Sequence, residues 1–328
     1  MTTERAFVAT PYLPEALEGP TSGVLHSVPE TLATSVSEAL PTINGLRLVF
    51  SNEEISGEPS PQPQPVGQVE TSAGTLDIMR FYDGEPGYDA LMDKVVEGRR
   101  KWYTAHNLLK EGAPNDSIRG ANVEVLALTT PAEADPAVSL RKWHTEAPNN
   151  VWETPSFVKF ADAGKISLSG LLKLKYALER NDSVVEIGAL WKDGAYGADT
   201  TLALYRTALH DSIKRKELWV MGVVTKQKKL LERMFGPGVV QDLGEPLTIE
   251  GEGATTKAVI HPVQIEPCQV IGTWLAESQA AKAAGDVRGL DKEVMMWTML
   301  KGLDWKYLPA ETSAALRKIL YENSSLAA

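Results

Sequence analysis

One carboxylate stands in an otherwise apolar run. In VVEIGALW (184–191), Glu186 lies between Val185 and Ile187. On a central strand such a side chain is withdrawn from water, and burial pushes a carboxyl pKa up toward neutrality. A glutamate tuned in that way can accept a proton at working pH, directly or through a water. The alternative is a carboxylate held in an ion pair or at a watered strand edge. The loop that follows, DGAYGADTT (193–201), carries Gly194 and Gly197. Glycine admits positive φ and close backbone approach. The loop opens the helix predicted over TTLALYRTALHDSIKRK (200–216), with Asp199, Thr200 or Thr201 as its natural N-cap. The free N–H groups and positive dipole end of such a helix suit a phosphate. A lone acid beside a glycine loop at a helix start can be a thioester-binding, amine-deprotonating site. An ordinary strand-to-helix turn has the same pattern.

A basic cluster follows. Lys214, Arg215, Lys216, Lys226, Lys228, Lys229 and Arg233 are opposed within that stretch only by Glu217 and Glu232, in a chain of net charge −10. A positive patch on an acidic protein either steers one acidic partner or forms a solvated helix face. An acyl carrier protein is one such partner, and the phosphates of coenzyme A are another. Other chemistries lack their residues. The chain has no G-x-S-x-G elbow, no G-x-x-x-x-G-K-[ST] loop and no H-E-x-x-H pair. His26, His106, His144, His210 and His261 are scattered without metal-ligand spacing. Met295, Met296 and Met299 beside Trp297 read as helix core.

The elements that must position these residues alternate. VVEIGALW and LWVMGVV (218–224) read as buried strands, and TKQKKLLERMFG (225–236) as a helix ending on Gly. LGEPLTI (243–249) and TKAVIHPV (256–263) read as strands. Upstream, TLDIMRFY (75–82), NVEVLALTT (122–130) and AVSLRKW (137–143) are strands, with a helix over 88–112 between the first two. A long insert containing the helix 167–180 precedes Val184. Residues 29–40 suit a short helix after Pro29, and 46–50 a strand. Pro59, Pro61, Pro63 and Pro65 forbid helix and block ladder hydrogen bonds, so 58–74 reads as an extended linker. The last sixty residues read as helices. This order predicts a mixed α/β sheet.

Bulk composition bounds the classes. A chain of 328 residues, 43% hydrophobic and 23% charged, can bury a sizeable core. Its acidic balance argues against a general nucleic-acid binder. A single cysteine, Cys268, excludes an internal disulfide and a thiolate metal cluster, as suits a cytoplasmic protein. No membrane span and no signal peptide are expected.

The segment from Val184 to Glu266 resembles the C-terminal half of the GNAT acyltransferase fold. Within that superfamily it is most similar to the acyl-homoserine-lactone synthases and long-chain N-acyl amino acid synthases. The residues that carry the resemblance are VVEIGALW, the long insert before it, and LLERMFGPGVVQDLGEPLTIEGEGATTKAVIHPV (230–263). The resemblance implies a mostly antiparallel central sheet flanked by helices over 75–267. An N-terminal extension (1–57) and the linker would precede it, and a helical region (268–328) would follow.

The resemblance further implies transfer of an acyl group, medium or long, from a pantetheine thioester to an amine. Glu186 would be the base. Backbone amides around Ile187, Gly188 and Ala189 would hold the developing oxyanion. Gly194, Gly197 and Ala198 would form the phosphate or pantetheine loop. Lys214, Arg215, Lys226, Lys228 and Lys229 would receive coenzyme A or an acyl carrier protein. The acceptor would be an amino acid, a small amine or a peptide amine, and no metal is implied. The chain departs from the homoserine-lactone branch at Gly188 and Ala189, where that branch carries Ser and Arg. It also departs from the pyrophosphate loop [QR]-x-x-G-x-[GA], which leaves room for a carrier-borne donor. An acetyl-CoA-dependent acetyltransferase and a non-catalytic scaffold of the same fold are the alternatives.

Overall fold

Alternating β-branched and aromatic residues, punctuated by short turns, assemble one sheet. The structure, a computed structural model, describes residues 48–50, 65–105, 122–131, 135–236, 238–250, 257–286, 289–301 and 303–326. Its strands are β1 (Leu48–Phe50), β2 (Gly67–Thr71), β3 (Gly74–Tyr82), β4 (Val123–Thr129), β5 (Pro136–His144), β6 (Ser183–Lys192), β7 (Glu217–Val224), β8 (Val240–Asp242), β9 (Leu247–Glu250) and β10 (Lys257–Ile265). They lie in the order β1-β2-β3-β4-β5-β6-β7-β10-β8, with β9 also on β10. Every pairing is antiparallel except β6 with β7. Parallel neighbours need a crossover, which the helix α4 (Ala198–Lys214) supplies. This is a mixed, mostly antiparallel sheet, as the resemblance implies.

Helices cover both faces. The remaining ones are α1 (Tyr88–Ala105), α2 (Pro155–Asp162), α3 (Leu168–Leu178), α5 (Thr225–Phe235), α6 (Pro267–Ala283), α7 (Gly289–Leu300) and α8 (Ala310–Leu326). On one face Ile78, Leu140, Val185, Ile187 and Met221 share a core with Leu204 and Ala208 of α4, Trp274 of α6, Met299 of α7 and Leu316 of α8. The C-terminal helices therefore bury apolar surface against the same sheet as α4. The opposite face carries two smaller clusters. One sets α1 on Met79, Val125 and Ala127, with Trp143 and Trp191 at its margin. The other sets α2 and α3 on Val184, Leu218 and Val220. Glu186 pairs in register with Trp143 on one side and Val220 on the other, so it stands where these two clusters meet.

Several elements differ from the sequence reading. Residues 67–71, expected within a linker, form β2, paired with β1 and β3. The prolines that argue against a strand all lie at or before Pro65. β8 was not foreseen, and LGEPLTI supplies a bend and then β9 rather than one strand. The chain makes this bend close against α3. A Cβ on Gly170 would collide with the Leu243 carbonyl, and one on Gly244 with the Lys165 carbonyl. Ser167 caps α3 by accepting the Gly170 N–H at 3.0 Å. α5 ends at Gly236, at φ +102°, as its glycine predicts. The helix predicted over 29–40 lies outside the described residues.

A buried ionic cluster ties the far end of α4 to the sheet. Lys142, fully buried on β5, meets Asp211 of α4 at 2.8 Å and Glu217 of β7 at 2.7 Å. Glu124 on β4, also fully buried, takes Arg80 at 3.0 Å, Arg215 at 3.0 Å and His144 at 2.9 Å. Burial alone would push the Glu124 carboxyl up. The His144 hydrogen bond and the surrounding cations outweigh it and hold the group well below the usual carboxylate range. Burial would likewise push Lys142 down, and Asp211 and Glu217 reverse that.

Candidate functional site

The parallel pairing of β6 with β7 runs from Ser183↔Glu217 to Glu186↔Val220 and stops. Beyond that point β6 is laddered only to β5, and β7 only to β10. The two strands part, and a wedge opens between residues 187–192 of one and 221–224 of the other. β6 also carries a bulge. Ala189 and Leu190 stand opposite the single Leu140, between the pairs Arg141↔Gly188 and Ser139↔Trp191. A bulge bends its strand and re-aims local backbone groups. Gly188 and Ala189, taken from the sequence as oxyanion residues, sit at the start of this wedge.

Glu186 is at the apex. It is 1% exposed, so the predicted burial is present. The predicted apolar surroundings are not. Its Oε1 is ion-paired with Arg141 Nη2, and its Oε2 accepts the Ser156 backbone N–H at 2.6 Å. Ser156 follows Pro155 in the first turn of α2, where free N–H groups and the helix dipole favour an anion. Gly188 packs against the ion pair. A Cβ there would lie 3.2 Å from Arg141 Nη2 and 3.7 Å from Glu186 Oε1. The Arg141 guanidinium in turn lies 5.7 Å from the centre of the Trp143 ring. Across the wedge, Gly222 of β7 has Phe160 and the Ser156 hydroxyl close to where its Cβ would be. Ser156 therefore stands over both splayed strands.

The loop 193–197 joins β6 to α4 at the open end of the wedge. Gly197, not Asp199, Thr200 or Thr201, is the N-cap of α4, and its φ is −73°. Neither Gly194 nor Gly197 takes positive φ among the described residues. What Gly197 provides is space. A Cβ there would lie 2.5 Å from Asp199 Oδ1, while Asp199 Oδ2 accepts the Ser72 N–H at 2.7 Å. Ala198 is the first residue of α4, and a Cβ on Gly194 would meet nothing.

The basic cluster divides in space. Lys214 and Arg215 precede β7, whereas Lys226, Lys228 and Lys229 follow it. Eight residues of strand separate them by about 26 Å. Only the second group is at the wedge mouth. Arg215 pairs with Glu124 at 3.0 Å and also faces Asp211 and Glu217. Lys228 pairs with Asp242 at 2.7 Å. Lys226 and Lys229 are exposed.

Arg141 and Ser156 were not singled out by sequence reasoning. Arg141 carried one signal, a charge inside the apolar strand AVSLRKW. Ser156 acts through its backbone and carried none. On the α2–α3 side a cleft of about 470 Å³ is lined by Val151, Trp152, Phe157, Leu171 and Leu174, with Lys175 and Glu179 among its polar residues. Among the described residues no three His, Cys, Asp or Glu side chains converge as a metal site, and no helix is long and apolar enough to cross a membrane.

The wedge, the bulged strand and the crossover helix meet on one mixed sheet. The chain shares similarity with several solved structures. FeeM, an N-acyl amino acid synthase from uncultured soil microbes, matches at 10% identity over 60% of this chain and 94% of that one, with a TM-score of 0.42. The corresponding values for BjaI, a CoA-dependent acyl-homoserine lactone synthase, with MTA are 12%, 57%, 81% and 0.38. Those for Arabidopsis thaliana NAA60 in complex with acetyl-CoA are 9%, 57%, 97% and 0.33. No protein-family model and no curated protein sequence matches the chain.

Proposed function

We propose that this protein is an N-acyltransferase that moves an acyl group from a pantetheine thioester to an amine. The observation that carries the reading is the end of the β6–β7 pairing at Glu186, which sets a buried carboxylate at the apex of an open wedge. A pantetheine arm would lie in the wedge and extend the ladder that the strands abandon. The amine would approach from the α2 side, where Glu186 faces Arg141 and Ser156. Its nitrogen would attack the thioester carbon as its proton passes to Glu186, directly or through one water. The C–S bond would break, and the thiolate would leave and take a proton from solvent. Backbone amides at the bulge around Ile187, Gly188 and Ala189 would stabilise the oxyanion. Holding both reactants at one apex would provide much of the acceleration.

The acyl chain is proposed to be medium or long, and the acceptor an amino acid or small amine. The apolar cleft lined by Trp152 and Leu171 lies on the α2–α3 side and suits an acceptor with an apolar group. Lys226 and Lys229 at the wedge mouth suit an acidic carrier protein. The test is thiol release from acyl thioesters of graded length, with and without a panel of amino acids. Amine-dependent release with long chains supports the proposal. Release only from acetyl-CoA would favour a conventional acetyltransferase, and no release with any donor would favour a scaffold.

A further inference from the structure

We infer that the outward face of α3 docks on an anionic lipid surface, with Leu168, Leu172 and Tyr176 entering the headgroup region. That the bilayer also presents acyl substrate to the wedge rests on the acyl-transfer reading above; the docking does not.

A surface helix ordinarily carries one apolar stripe, turned to the core. α3 carries two. Gly170, Leu174 and Ala177 face inward, the last two in the cluster with Val184 and Leu218. Leu168, Leu172 and Tyr176 are spaced one helical turn apart on the other side, at 76%, 49% and 55% exposure. Leu171 and Trp152, both exposed and both lining the apolar cleft, extend this surface toward α2. A contiguous apolar patch of this kind marks a surface that is covered in use.

Charge selects what covers it. Between Asp162 and Glu179 the chain has Lys165, Lys173 and Lys175 and no carboxylate, in a protein of net charge −10. Lys165 pairs with Glu245 at 3.1 Å, whereas Lys173 reaches a carbonyl oxygen, that of Asp242, at 3.4 Å. Lys175 is exposed. With 3.6 residues to a turn, Lys175 falls on one side of the Leu168–Leu172–Tyr176 stripe and Lys173 on the other. Leucines at the centre, a Tyr and a Trp beside them, and flanking lysines that can lift their ammonium groups to lipid phosphates suit an interfacial helix. A second copy suits the face less well. Apposed α3 helices would bring the lysines of both copies together, with no carboxylate between Leu168 and Leu178 to oppose them. The face also lies beside α2, whose Ser156 reaches Glu186. A long-chain thioester or acylated product held in the bilayer would therefore be close to the wedge apex.

The test is cosedimentation of the full chain with vesicles of phosphatidylcholine alone and of equal parts phosphatidylcholine and phosphatidylglycerol. Wild type is expected to bind the mixed vesicles about tenfold or more tightly than phosphatidylcholine, as two lysines at an anionic surface require. The double variant Leu168→Ser, Leu172→Ser should lose about tenfold or more of that binding, because it removes the apolar area to be buried. Its melting temperature should match wild type, since both side chains are exposed in the free protein. Lys173→Gln with Lys175→Gln gives an independent reading and should lose the preference for mixed vesicles. No binding to either vesicle, equal binding to both, or unchanged behaviour of both variants overturns the inference. So does a wild-type dimer, seen by sedimentation velocity, that the leucine variant breaks, which would assign the face to a second copy. Thiol release is read separately. Vesicle binding without release from any donor would remove the acyl-transfer reading and leave the docking in place; release without vesicle binding would do the reverse.

Discussion

The Ser156 amide donates to Glu186 Oε2 at 2.6 Å, joining the first turn of α2 to the apex of the β6–β7 wedge. The insert before β6 is therefore part of the site. It delivers a helix N-terminus to the same carboxylate that Arg141 pairs on its other oxygen. One glutamate is thus buried and fixed in orientation by two neighbours from different elements.

Glu186→Gln is expected to lower amine-dependent turnover by ~10²–10⁴. It should also lower stability, because the buried ion pair with Arg141 is then broken, at a cost of about 3–5 kcal/mol. The double variant with Arg141→Met should recover much of that stability without recovering turnover. Urea unfolding of the four proteins in the cycle, with initial rates, checks both parts. Additive stability losses would mean that the pair is not coupled.

Lys142→Met is expected to destabilise the chain by about 3–5 kcal/mol. The methionine fills the volume but leaves Asp211 and Glu217 with one cation fewer in a closed cluster. Lys214→Met, in the exposed last turn of α4, should change stability by less than about 0.5 kcal/mol. Denaturant midpoints of the two variants against wild type decide the matter.

His210 is 3% exposed, and burial together with nearby Lys214 lowers its pKa to about 4. Its folded value is below its unfolded one, so its contribution is fully present above about pH 6.5 and is lost as pH falls through that window toward 4. The loss between pH 7.5 and 4.5 should be about 2–3 kcal/mol. His210→Phe should show a shallower decline over that range. Parallel slopes for the two proteins would assign the acid sensitivity elsewhere, for example to Glu124 at lower pH.

Reversal of Lys226 and Lys229 to Glu is expected to raise the apparent Michaelis constant for a carrier-borne donor and to leave a pantetheine mimic unaffected. Lys214→Glu, about 26 Å away along β7, should alter neither. Steady-state kinetics with both donors measure this. A matching effect of Lys214→Glu would mean that the partner spans the whole strand.

The sequence alone determined the parts whose information is local. The acid-bearing strand, the crossover helix, β7 and the Gly236 stop are legible because a period of two, a helical spacing and a terminal glycine each act over a few residues. Tertiary structure decided what depends on residues distant in the chain. Glu186 reads from sequence as a solitary carboxylate, yet Arg141 and Ser156 reach it from 45 and 30 residues away. The basic cluster reads as one patch because sequence does not show that β7 carries its halves to opposite ends. Asp199 reads as a cap, whereas its carboxylate accepts the amide of Ser72, 127 residues upstream. Pairing registers and helix docking set those distances, and both follow from the burial of apolar faces across the whole sheet.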